Sequence, residues 1–153
     1  MQVRHSDFSD AATIADIIIE AFSIYRGWLN PQPSALLESA ATISEKLTVE
    51  RCLVAEIAGA PAGCVMYKPE DGGVYLGRLA VRPIYRRRGI AQTLIAAVEA
   101  EAIRLGAAAV SLNVRVSLVG NQRLFADCGY HEIARHAHPG FAEPTFIEMQ
   151  KRL

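Results

Sequence analysis

The stretch Leu79-Ala80-Val81-Arg82-Pro83-Ile84-Tyr85-Arg86-Arg87-Arg88-Gly89-Ile90-Ala91 decides how the rest of the chain is read. Its apolar start closes a strand that begins at Val74, the turn at Pro83 stops that strand, and a long helix opens at Gly89. In that helix Ile90, Leu94, Val98, Ala102 and Leu105 recur on one face, Gln92 and Glu99 lie opposite, and Gly106 ends it. A helix start offers unpaired backbone N–H groups and a partial positive charge. The small residues Gly89 and Ala91 let an anion come close, and arginines 82, 86, 87 and 88 surround the same point, as a phosphate site requires. The competing reading is a solvated basic turn, which the strand-turn-glycine setting disfavours. The strings G-x-x-x-x-G-K-[ST] and G-x-G-x-x-G are both absent, so the site is neither of those two phosphate loops.

Upstream, a short opening strand near Gln2-Val3-Arg4 precedes an apolar stripe at Ile14, Ile17, Ile18, Ala21 and Phe22, which reads as an amphipathic helix capped by Ser9 or Asp10. Gly27 to Pro33 breaks it, and Ser34 is read as the cap of a second helix running to about Thr48. Tyr25, Trp28 and Leu29 fall on the connector, where they either line a pocket or simply pack. Residues 52–57, 63–67 and 74–81 form a three-strand meander, with turns at 58–61 and 69–73. Downstream, the strand 109–114 follows the long helix, and a crossover of that kind favours parallel pairing with 74–81. A shorter helix over 121–128 stops at Gly129, and strands 130–136 and 146–149 flank the loop His138 to Pro144. Together these elements make one α+β domain over 1–153 with a mixed sheet.

With 16 Lys+Arg against 16 Asp+Glu and 51% hydrophobic residues among 153, the chain has a core's worth of apolar side chains and no net charge. That excludes disorder, an all-over nucleic-acid coat and a polybasic membrane anchor. No apolar h-region opens the chain and no run approaches the ~20 residues of a membrane span, so a cytoplasmic location is expected. Cys52, Cys64 and Cys128 are read as reduced core thiols, and the histidines at 5, 131, 136 and 138 lack zinc-like spacing, so no metal is expected.

Arg86-Arg87-Arg88-Gly89-Ile90-Ala91 matches [Q/R]-x-x-G-x-[G/A], and Asn121-Gln122-Arg123-Leu124-Phe125-Ala126-Asp127-Cys128-Gly129-Tyr130 is similar to a family helix that ends in Gly-Phe. With the order of elements from 1 to 153, these segments resemble the GNAT superfamily of acyl-coenzyme-A-dependent N-acetyltransferases. The resemblance implies a mostly antiparallel sheet of about seven strands flanked by about four helices, with splayed fourth and fifth strands that admit pantetheine. It assigns acetyl-CoA to the N–H groups of Arg87, Arg88, Gly89, Ile90 and Ala91 with Arg86 alongside, and to side chains of Gln92 and Thr93. Main-chain groups of Leu79, Ala80 and Val81 serve the pantetheine arm. Asn121 either reaches the cofactor or caps its helix.

The same resemblance places the oxyanion donor at the N–H of Leu79 and the family's base position at Tyr75, read as sharing a strand face with Gly77 and Leu79. A tyrosine with a pKa near ~10 is a poor base, so Tyr75 is expected to relay a proton or shape the pocket, with Glu56, Tyr67 and Asn113 as possible helpers. Phe125 stands where many members carry the general-acid tyrosine; Cys128 and Tyr130 are the nearby alternatives. The amine acceptor is expected between Phe22, Tyr25, Trp28 and Phe141, with His136, His138 and Glu143 addressing the amine. Two other readings stay open: a non-catalytic coenzyme A sensing module, and nucleic-acid binding through Arg82 and Arg86 to Arg88. The oligomeric state is left open, a homodimer with the strand 146–149 exchanged or paired across a subunit boundary being one arrangement.

Overall fold

Strands β1 (Gln2–His5), β2 (Arg51–Ile57), β3 (Ala60–Glu70), β4 (Gly73–Val81), β5 (Ala109–Arg115), β6 (His131–His136) and β7 (Phe146–Arg152) form one sheet. Their order across it is β1-β2-β3-β4-β5-β7-β6. Every neighbouring pair is antiparallel except β4 and β5. The helices are α1 (Ala11–Phe22), α2 (Ala40–Lys46), α3 (Ile90–Arg104) and α4 (Val119–Asp127). The computed structural model describes every residue from Met1 to Leu153.

Strand alternation divides the core into two layers. On one face Val65, Leu76 and Leu112 pack with Leu94, Ile95 and Val98 of α3 and with Phe125 of α4. On the other, Cys64, Met66 and Val54 pack with Ile14, Ile17 and Ile18 of α1 and Ile43 of α2. Each of those three α1 isoleucines is fully buried and contributes on the order of 1.5–3 kcal/mol. No helix is long and apolar enough to cross a membrane.

Several expectations are corrected. Asp7 caps a short turn over Phe8–Asp10 ahead of α1, and Asp10 at the α1 boundary makes no side-chain cap. Leu105 lies outside the buried face of α3, which Ile95 joins instead. Cys52 and Cys64 are buried free thiols, but Cys128 is only half-buried at the end of α4. The C-terminal strand β7 lies inside the sheet, paired with β5 on one side and β6 on the other.

The expected helix from Ser34 is a short turn over Ser34–Leu37, a break, and then α2, capped by Ser39 in a reciprocal pair with Thr42. The break exists because Glu38 turns inward. Its carboxylate accepts hydrogen bonds from Lys46 Nζ, from Thr42 Oγ1 at 2.6 Å and from Arg78 Nε of β4 at 2.8 Å. Burial alone would raise this carboxyl; the bonds from Lys46, Thr42 and Arg78 outweigh it and hold its pKa below the ordinary 4.5.

Glu38 therefore ties the segment before α2 to the middle of β4. Glu38→Ala is expected to lower stability in urea at pH 7 by about 2 kcal/mol, the scale of charge-assisted hydrogen bonds left unmade. A depressed carboxyl pKa stabilises above its unfolded value and loses that contribution as pH falls through its folded one. The gap between wild type and variant should thus narrow below about pH 4.3; equal unfolding midpoints at pH 7 would contradict this role.

Candidate functional site

The site begins where the sheet fails to close. β4 and β5 pair only at Val74↔Val110 and Tyr75↔Ser111. At that end the backbones touch: a Cβ on Gly73 would stand 2.8 Å from the carbonyl oxygen of Ala109. Beyond Tyr75 the strands part. A bulge on the far side of β4 adds to the divergence, with Arg78 and Leu79 together opposite Val65 and Arg78 at φ +50°.

The bulge also reverses the alternation of β4. Before it, Val74 and Leu76 face α3; after it, Leu79 and Val81 do. Tyr75 and Gly77 lie on the opposite face, so Tyr75 and Leu79 do not share one, and an unbroken period of two misassigns them. The Tyr75 ring lies over Gly77, whose missing Cβ would come within 3.1 Å of it. Arg82 N–H donates to the Ala62 carbonyl at 2.9 Å, which makes Val81↔Gly63 a pair without mutual bonds. Val81 therefore turns its main-chain N–H and C=O away from β3 and into the gap, and by alternation so does Leu79.

The loop between β4 and α3 supplies donors at the mouth of this gap. No backbone N–H from Arg87 through Gln92 has an acceptor in the chain. Arg87 (φ +63°) and Gly89 (φ +75°) are left-handed, and a Cβ on Gly89 would meet nothing within 4 Å. Arg86, Arg87, Ile90, Ala91 and Gln92 line the cleft. The four arginines do not all converge. Arg82 pairs with Glu20 at 2.6 Å and Arg88 stacks over Tyr85 at 5.6 Å, while Arg86 also donates to the Ala21 carbonyl at 3.2 Å. Thr93 turns its hydroxyl back to the Gly89 carbonyl at 2.9 Å, off the cleft wall.

The cleft holds about 1050 Å³ and passes through the sheet to the α1 face. Phe22 and Tyr25 form its wall there. Asn121 is the third residue of α4, so it caps nothing; its Nδ2 donates to the Tyr25 hydroxyl at 3.4 Å across the mouth. Trp28 stays off the wall, half-exposed, its Nε1 donating to the Ile24 carbonyl at 2.7 Å. Phe141 also stays off it, packed edge-on against His138.

Tyr75 lines the cleft with Asn113, whose Nδ2 donates to its hydroxyl at 3.5 Å, and burial pushes the Tyr75 pKa up, further from a base's range. The other expected helpers lie elsewhere. Glu56 pairs with Arg4, and the Tyr67 hydroxyl sits between His5 and Glu101, pushed up to about 12 chiefly by burial. Tyr130 donates to Glu99 at 2.9 Å, and burial raises the Cys128 thiol; neither lines the cleft, whereas Phe125 does. Glu143 is exposed, and His136 pairs with Glu148 at 3.0 Å in a small adjoining cavity.

His138 is the only imidazole lining the cleft, and no carboxylate lines it. Its backbone N–H donates to Thr145 Oγ1 at 2.9 Å, and its Nδ1 meets the same oxygen. Burial first, then the Arg115 charge, lower its pKa from 6.5, so it is neutral at pH 7. Arg115 also lines the cleft and was not singled out from the sequence. Its signal was the alternation of polar Ser111, Asn113 and Arg115 with apolar Val110, Leu112 and Val114 on an interior strand. No group of three or more His, Cys, Asp or Glu stands together as a metal site.

Known proteins resemble this chain in sequence and in fold. The family model "Acetyltransferase (GNAT) family" matches residues 14–130. Acetyltransferase SG1711 of Sodalis glossinidius (strain morsitans) is 34% identical over 116 residues, 73% of this chain and 72% of that protein. Among solved structures, the GCN5-related N-acetyltransferase from Rhodopseudomonas palustris superposes with a TM-score of 0.80 at 23% identity, over 99% of this chain and 95% of that one. PaiA N-acetyltransferase from Thermoplasma acidophilum, solved in complex with coenzyme A, gives 0.71 at 18% identity over 100% of both chains. These two structures share the fold of this chain.

Proposed function

The chain belongs to the GNAT family and is an acyl-CoA-dependent N-acetyltransferase; from that premise we propose that it acetylates a primary amine of a small molecule by direct transfer in a ternary complex. The observation that carries this reading is the run of unpaired N–H groups from Arg87 to Gln92 at the mouth of a gap that crosses the sheet. Coenzyme A fits those residues: unpaired amides at a helix start hold a diphosphate, Arg86 and Arg87 add charge, and the open edge of β4 receives an extended amide chain. Bound there, acetyl-CoA supplies a thioester as the acyl donor.

The chain's own groups then divide the work. The Leu79 N–H, facing the gap beside the bulge, holds the negative charge that develops on the acyl oxygen. The amine enters from the α1 face past Phe22 and Tyr25, and Tyr75 with Asn113 orients it. His138 takes its proton. In the tautomer that directs Nδ1–H to Thr145 Oγ1, the oxygen that already receives the backbone N–H of His138, Nε2 is the free base. The N–C bond forms as the C–S bond breaks, and Phe125 gives no proton to the departing sulfur. A thiol with a pKa near ~8.5 tolerates that loss.

The cleft's neutral imidazole supports catalysis over a sensing role, and the pairing of Arg82 with Glu20 removes one of the four cations the nucleic-acid reading used. Two experiments test the proposal. Gly89→Glu costs about 1 kcal/mol in backbone strain, yet it should weaken coenzyme A binding at least about a hundredfold by calorimetry, because a carboxylate then occupies the diphosphate's place. Unchanged affinity would refute the placement. Separately, kcat of the wild type should fall on acidification as His138 protonates, with an apparent pKa below the ordinary 6.5. His138→Gln should lower kcat by about 10²-fold and abolish that acid limb while the KM for acetyl-CoA holds; a retained limb would exclude His138 as the base.

A further inference from the structure

The acceptor half of the cleft holds a cation without a counter-ion. Arg115 ends β5, lines the cleft, and has a buried Nη1 with no hydrogen-bond partner. A buried guanidinium nitrogen without an acceptor is costly, and such groups are otherwise paired in folded proteins. No acidic side chain offsets that cost here: burial alone acts on Arg115 and draws its pKa down. The other cation on this face, Arg78, is already held by Glu38.

The strand's alternation fixes which way Arg115 faces. Val110, Leu112 and Val114 pack in the α3-side core, so Ser111, Asn113 and Arg115 present to the face that carries Tyr75 and Gly77. Phe146 is the cross-strand partner of Arg115, and the His138 ring stands 5.0 Å from the Phe146 ring. Arg115 thus stands with the proposed base and orienting groups rather than in the loop of unpaired N–H groups.

We propose that Arg115 binds the carboxylate of the acceptor, so that the acceptor is a primary amine of amino-acid type with an apolar side chain against Phe22, Tyr25 and Phe146. The planar guanidinium fork donates two parallel hydrogen bonds to a carboxylate, and a single unpaired cation matches its single charge. With the carboxylate held at Arg115, the amine is directed toward Tyr75 and His138. This assignment rests on the N-acetyltransferase reading above and names the substrate class of the same site.

The test uses amines in matched pairs, L-phenylalanine with phenethylamine and L-leucine with isoamylamine, and follows thiol release from acetyl-CoA. The wild type should favour the carboxylated member of each pair by about tenfold or more in kcat/KM. Arg115→Gln should abolish that preference by raising KM for the amino acid, with the KM of acetyl-CoA and of the plain amines unchanged. Equal use of both members by the wild type would overturn the proposal, as would a variant whose defect is in acetyl-CoA binding. Calorimetry of L-phenylalanine and L-leucine against coenzyme-A-saturated protein reads the same contact without chemistry. Binding to the wild type and not to Arg115→Gln supports the carboxylate site even if no amine turns over, an outcome that would count against the catalytic reading alone. Binding to neither overturns the site.

Discussion

One constraint organises the molecule: β4 and β5 are held together at one end and kept apart at the other. Gly73 lets the two backbones meet at Ala109, where any side chain would collide. Past Tyr75 the bulge at Arg78 and Leu79 twists β4 away, and the gap is set. A parallel strand pair interrupted in this way leaves main-chain groups of Leu79 and Val81 without partners in an otherwise closed ladder. Those unused groups, with the unpaired amides that begin α3, supply donors that depend on no particular side chain.

The gap stays open because other contacts brace its rims. Arg86 reaches the last turn of α1, Arg82 pairs with Glu20 of α1, and Arg78 is fastened to Glu38. Arg82 and Arg86, which look like ligands for an anion in the sequence, thus join Arg78 in connecting β4 and its following loop to the elements on the opposite face. In the proposed binding mode the amides carry the binding, while these guanidinium groups fix where they point. The cleft lining is accordingly rich in arginine and free of carboxylates, a field that favours anions at both the donor and the acceptor end.

Much of this was legible in the sequence. The strand, turn and glycine-started helix at 79–91 carry strong local signals, and the crossover from β4 through α3 to β5 follows from the change of apolar period. Other features were hidden for physical reasons. A bulge adds one residue without changing composition, so nothing near Arg78 announces that Tyr75 and Leu79 face opposite ways. The break at Glu38 depends on Arg78, 40 residues away, and no local pattern reports such a partner. Trp28 and Phe141 drew notice as bulky loop aromatics, yet a ring's type does not state which side of its loop it occupies. Arg115 escaped because an arginine at a strand end is usually solvated; only its polar neighbours at Ser111 and Asn113, on a strand with partners on both sides, hint at a wet cleft instead.

In the proposed complex a diphosphate is gripped by the amides at the start of α3 and the chain attached to it runs through the β4–β5 gap. A crystal structure with coenzyme A measures this directly. Phosphate oxygens are expected within hydrogen-bond distance of the N–H groups of Arg87 to Ala91, and the pantetheine arm beside Leu79 and Val81. A nucleotide bound elsewhere, or β4 and β5 paired along their whole length, would contradict it.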